Sequence, residues 1–200
     1  MNKQRGHRII AHHLILSSYG FWLSNDLRGS GSTEIRQPKF EDLGPFHHGR
    51  KRLQPTREEL RAFYAKAFPL LEHPPLWFNT AARRIIADAF ADVIKRCKYT
   101  VWACSIGSNH AHLCVRYHRD TYEKIWENLT AQARTLLIAH DIATYPHPAW
   151  VQRPYSAFRH TPDDVWRTIP YIDENPEKEG LLPQRYDFVQ PYDGWPVRKM

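Results

Sequence analysis

Tyr99–Tyr117 reads YTVWACSIGSNHAHLCVRY. Two strand-like runs, YTVWACSI and HAHLCVRY, flank Gly107-Ser108-Asn109, which is turn chemistry at hairpin length. The stretch therefore predicts an antiparallel hairpin. Alternate side chains of a strand share a face, so His110 and His112 point the same way, close enough for one metal ion to accept both rings. A sheet interior prefers Val or Ile at such positions, and two imidazoles there need a reason. They can be partly exposed polar residues at a strand entrance, or ligands. Cys114 continues the same face and raises a zinc reading, His-x-His-x-Cys, although a third residue on one strand lies too far along to close a tetrahedron comfortably.

Outward from the hairpin, Asn79-Thr80 can cap a helix over AARRIIADAFADVIKR, with Ile85, Ile86, Ala89, Phe90, Val93 and Ile94 at helical spacing. After the hairpin, Asp120 with Glu123 starts a second helix carrying Ile125, Leu129, Ala133, Leu136 and Leu137 on its inner stripe. Near the N-terminus, IIAHHLILSSY is a strand that stops at Gly20. Residues 24–79 are rich in Gly, Pro and charge, and read as an insertion around one helix, TREELRAFYAKAF, capped by Thr56. Thr161-Pro162-Asp163-Asp164 begins a third helix that should end near Asn175-Pro176. The last 24 residues read as irregular packing over the domain edge. Together these elements predict a single α+β domain over residues 1–200: a ferredoxin-like antiparallel sheet with helices on one face and residues 24–79 inserted after the first strand.

Composition narrows the partners. The 200 residues are 42% hydrophobic, enough for a real core, and 28 Lys and Arg against 21 Asp and Glu leave a net charge of +7 and a pI near 9.4. That surplus favours polyanions such as nucleic acid or an acidic membrane surface. Three cysteines with no CxxC pair do not suggest a disulfide framework and fit a reducing cytoplasm. The basic and then apolar N-terminus is interrupted by histidines and lacks a convincing cleavage site, and no apolar run reaches the roughly 18 residues of a membrane span.

A second constellation lies in IPYIDENPEKEGL, Ile169–Leu181. Tyr171 and Asn175 are four apart, so a helix stacks a phenol and a carboxamide on one face. Taken alone, an amphipathic tyrosine and an Asn-Pro helix terminator explain them. Pro170, directly before the tyrosine, removes a helical hydrogen bond and costs about 3 kcal/mol unless the helix kinks or restarts there.

SNHAHL followed by YIDENPEKEGL resembles the paired signature of the single-tyrosine HUH transposases, especially the REP-associated tyrosine transposases of the IS200-like group. In these, His-hydrophobe-His on a strand precedes Tyr-x-x-x-Asn-Pro on a helix. HHLILSSYGFWLSNDLRGS also resembles the first strand and the Trp-Leu-x-x-Asp-x-Arg-Gly element of one branch. The likeness spans roughly residues 10–181. It departs from the pattern at Ser108, where many relatives have proline, and at Pro170.

The resemblance implies the HUH endonuclease fold, His110 and His112 as metal ligands with Asn175 as a third, Tyr171 as nucleophile, and Mg²⁺ or Mn²⁺ as cofactor. It implies cleavage of single-stranded DNA at hairpin or palindromic repeats through a 5′-phosphotyrosine, and a cytoplasmic, nucleoid-associated setting. Arg28, Arg50, Lys51, Arg52, Lys124 and Arg134 are the basic residues expected to meet DNA, with Arg28, Lys124 and Arg134 lining a path to the site. Exposed aromatics can stack unpaired bases. Monomer and homodimer both remain open, as does a different class of function: a basic DNA- or RNA-binding module that keeps the fold without catalysis.

Overall fold

The alternating run that follows Ile10 forms β1, Ala11–Ser17, with Leu14 and Leu16 buried on one face and His13 on the other. In this computed structural model, which describes residues 8–30, 38–152 and 155–196, there follow β2 (Gly29–Ser30), β3 (Gly49–Arg50), α1 (Arg57–Ala67) and α2 (Thr80–Cys97). The expected hairpin is present as β4 (Val101–Ile106) and β5 (His110–Arg116). The chain continues with α3 (Tyr122–Ala139), β6 (Tyr155–Arg159), α4 (Pro162–Asp173) and the single turn α5 (Asn175–Lys178).

The four long strands pair antiparallel in the order β4-β5-β1-β6, the ferredoxin-like order for a β-α-β-β-α-β path. β6 was not anticipated. Its five residues, YSAFR, alternate only weakly, and pairing with β1 rather than intrinsic pattern makes it a strand.

α2 and α3 cover one face, as expected, burying Ile86, Phe90, Val93, Ile125, Leu129 and Leu137 against Leu14, Leu16, Leu113 and Val115. α4 does not join them. Val165 and Ile172 pack with Ile10, Ala11, Trp102, Ala103 and Cys114 on the other face, so the sheet is sandwiched and Tyr171 is delivered to the side that carries the histidines. Cys114 is buried in that apolar cluster, and burial pushes its thiol up to about 12, the reverse of what a zinc thiolate needs.

The caps follow the sequence with one correction. Thr56 and Thr161 form reciprocal capping boxes with Glu59 and Asp164, and the Asn79 side chain accepts from Ala82 N–H. α3 is capped by Thr121, not Asp120, because the Thr121 hydroxyl is the group that meets Lys124 N–H. Asp120 instead accepts from the Tyr99 hydroxyl.

The segment between β1 and α2 holds the expected helix together with the two-residue ribbon β2–β3. Gly29 has φ +97°, and a Cβ there would stand 1.9 Å from the Gly49 carbonyl oxygen, so only glycine lets the ribbon close. The segment is clipped to the rest of the chain at His147, whose Nε2–H donates to the Pro74 carbonyl and whose Nδ1 accepts from Ala149 N–H. No helix among the described residues is long and apolar enough to cross a membrane.

Candidate active site

His110 and His112 lie on one face of β5 with ring centroids 4.8 Å apart, as the alternation requires. α4 runs through Pro170 without breaking: Pro170 sits in the last turn, and the carbonyl its missing N–H leaves unpaired belongs to Trp166, which is at the surface. Tyr171 therefore stays helical. Its ring meets His112 edge-on at 5.9 Å and His13 at 5.7 Å, centroid to centroid, while nearly half of the residue remains open to solvent.

His13 is a third imidazole that the sequence reading did not single out. β1 pairs with β5 so that His13 stands opposite Cys114, and its Nε2 is 2.9 Å from His112 Nδ1. The proton positions follow from one donor. Arg159 Nη2, which can only donate, lies 3.1 Å from His13 Nδ1. His13 Nδ1 must then accept, its proton sits on Nε2, and Nε2–H donates to His112 Nδ1. His112 is left carrying its own proton on Nε2. His110 has the opposite tautomer: Asn109 Oδ1 at 2.8 Å and Glu179 Oε1 at 3.5 Å both call for a proton on Nδ1, which leaves the Nε2 lone pair open.

All three rings are held neutral. Burial, then the charge of Arg159, lowers His13 to about 4. Burial, then its histidine neighbours and Lys178, holds His112 well below the usual imidazole range. Burial also lowers His110, against the opposing pull of Glu179.

Glu179 is the carboxylate the sequence reading missed. It accepts from both the Ser108 backbone N–H and the Ser108 hydroxyl at 2.8 Å, tying the turn after α5 to the β4–β5 hairpin. Gly107 permits this approach: a Cβ there would stand 2.5 Å from Glu179 Oε1. Asn175, the expected third ligand, turns its amide onto the Tyr171 carbonyl at 2.8 Å and so braces the tyrosine's turn of helix. Lys178 Nζ lies 4.9 Å from the Tyr171 ring centroid, over the ring face, and pairs with Glu174 at 3.2 Å. Among the described residues, no three His, Cys, Asp or Glu side chains are disposed to hold a metal ion.

The basic residues divide into two groups. Arg28, Arg50, Lys51 and Arg52 gather at the β2–β3 ribbon, where Arg50 faces Gly29 and Lys51 N–H donates to the Arg28 carbonyl. Lys124 and Arg134 belong to α3, across the sheet from the histidines. Lys124 pairs with Glu127, and Arg134 is spent on the carbonyls of Pro146 and His147.

No protein-family model matches the sequence, and no curated protein matches it. Solved structures do. A REP-associated tyrosine transposase bound to a REP hairpin aligns over 91% of this chain and 76% of its own, at 11% identity and a TM-score of 0.48. A candidate transposase from Deinococcus radiodurans R1 aligns over 86% of this chain and 97% of its own, at 12% identity and a TM-score of 0.38. Both likenesses are distant.

Proposed function

We propose that the protein is a single-tyrosine DNA strand transferase that nicks and rejoins single-stranded DNA at hairpin-forming repeats. The observation that carries this reading is the meeting of Tyr171, on α4 and partly open to solvent, with the buried His112 and His13, on two adjacent strands. Three segments far apart in sequence converge there, and the sequence signature of His-x-His with Tyr-x-x-x-Asn-Pro agrees with it.

His110 and His112 would hold a divalent cation, Mg²⁺ or Mn²⁺, which when bound supplies charge neutralisation at a phosphate oxygen. The donor set suits this in part: His110 already presents a free Nε2 lone pair, whereas His112 must first give up its Nε2 proton. Tyr171 attacks phosphorus as the phenolate, its proton passing to solvent. The P–O3′ bond breaks, the 3′ oxygen takes a proton, and the 5′ phosphate stays on the tyrosine. Attack by a 3′-OH on that linkage reverses the step and rejoins DNA without an external energy source.

The test is incubation with single-stranded, hairpin-bearing oligonucleotides and Mn²⁺, followed by a denaturing gel. A covalent protein–DNA adduct is expected with the wild-type chain and none with Tyr171→Phe; absence of any adduct across oligonucleotides from the gene's flanking repeats would count against the assignment. The unfavourable His112 tautomer is the one observation that favours a second reading, a DNA- or RNA-binding module without catalysis. That module would bind in a salt-sensitive way and leave the strand intact.

A further inference from the structure

Ser17 faces His110 in the β1–β5 register, and Ser18 N–H donates to the Asn109 carbonyl, so the chain leaving β1 starts its turn at the histidine end of the sheet. Five residues beyond Ser17 it reaches Trp22, which adopts φ +53°, a left-handed conformation that bulky residues rarely occupy. The Trp22 N–H is tied to the Tyr64 hydroxyl at 3.0 Å. The Arg28 guanidinium lies 3.6 Å from the indole centroid. That guanidinium is itself fixed by a two-pronged bond to Asp26, which is 1% exposed, and by the Tyr64 hydroxyl at 2.9 Å; Tyr64 in turn donates to Asp26. A buried carboxylate, a stacked cation and a strained backbone together hold one side chain that is still 39% exposed. An indole that served only to fill space would not need to stand in solvent, and strain of this kind is kept where the surroundings over-determine it.

The surroundings match a polyanion with exposed bases. Arg50 and Lys51 flank Arg28 on the β2–β3 ribbon. A second exposed indole, Trp77, packs on Phe21 at 4.5 Å and neighbours Phe78, whose N–H donates to the Ser108 carbonyl in the histidine-bearing hairpin. Aromatic faces beside cations are how sequence-tolerant single-strand binding is built.

We infer that Trp22, backed by Arg28, is a stacking platform for an unpaired nucleobase next to the phosphate presented to His110, His112 and Tyr171, with Arg50 and Lys51 following the adjoining backbone. This rests on the single-stranded DNA reading above and adds to it the residue that grips the strand.

The experiment uses the full chain carrying Tyr171→Phe, without added metal, and a fluorescein-labelled hairpin with a single-stranded tail, read by anisotropy at fixed salt. Trp22→Ala should weaken binding about tenfold or more, Trp22→Phe should retain most of it, and a hairpin whose tail is abasic should bind both proteins alike. Normal wild-type binding that Trp22→Ala leaves unchanged overturns this inference alone. No binding of the wild-type chain to any single-stranded DNA overturns the DNA reading and this inference with it. Photocrosslinking with 5-iodouracil in the tail, on the unsubstituted chain, decides the matter even if Trp22→Ala does not fold: adducts on Trp22 support the platform, and adducts found only elsewhere overturn it.

Discussion

Arg159 should restrain metal binding although it contacts no proposed ligand directly. Its Nη2 is 3.1 Å from His13 Nδ1, and His13 Nε2 is 2.9 Å from His112 Nδ1, so one fixed donor sets both tautomers and puts a proton on His112 Nε2. Coordination through that nitrogen requires both protons to step back, which brings His13 Nδ1–H against the Arg159 N–H. The hydrogen bond lost involves a charged donor, about 1.5–3 kcal/mol, or roughly ten- to a hundredfold in affinity. Arg159→Met should therefore tighten Mn²⁺ binding by about that factor, read from the free Mn²⁺ signal in electron paramagnetic resonance titrations. Removing a nearby positive charge also helps binding, so the control is the double-mutant cycle. In a His13→Phe background the tautomer relay is gone, and Arg159→Met should retain only the small charge effect. Equal gains in both backgrounds, or no gain in either, would refute the reasoning.

Three further outcomes follow from the same geometry. Because burial holds His13 near 4, against an ordinary value of 6.5, the unfolded chain binds more protons between those limits; stability should be fully present above pH 6.5 and fall as pH drops toward 4, by up to about 3 kcal/mol from this residue, and urea midpoints that stay flat over that window would contradict it. Gly107→Ala should displace the Glu179 carboxylate, since the new Cβ would stand 2.5 Å from its Oε1; the flexible side chain can yield, so the expected loss is that of its hydrogen bonds to Ser108, about 1 kcal/mol in chemical unfolding, with adduct formation reduced. Thr161→Ala removes the side-chain half of the α4 capping box, the acceptor for Asp164 N–H, while the backbone N–H of residue 161 can still donate to Asp164; it should cost about 1 kcal/mol on the same curves, leaving α4 less firmly seated over the histidines.

Much of this was open to reading along the chain because the physics involved is local. The hairpin was recognisable from two β-rich runs around Gly107-Ser108-Asn109, α2 from its apolar stripe, and α1 and α4 from Thr caps with an acid three residues on. The misses share a cause. β6 is a strand only because β1 offers it a partner, and α4 lies across the sheet from α2 and α3 because Val165 and Ile172 find an apolar surface at Trp102 and Cys114. The paired histidines HisHis at 12 and 13 were a visible signal. On a strand, though, one of two neighbours must face each side, and only the register with β5 says that His13 meets His112 while His12 packs among Tyr117, Tyr122 and Phe158.

The amino-acid order alone was enough to put two imidazoles on one strand face and to place a phenol on a capped helix, since strand alternation and helical periodicity act over a few residues. That the phenol reaches His112 and His13, that Arg159 governs the His112 proton through His13, and that Glu179 meets His110 are consequences of contacts between segments tens of residues apart. Such contacts are selected by burial and pairing over the whole sheet, and no short stretch of sequence carries that information.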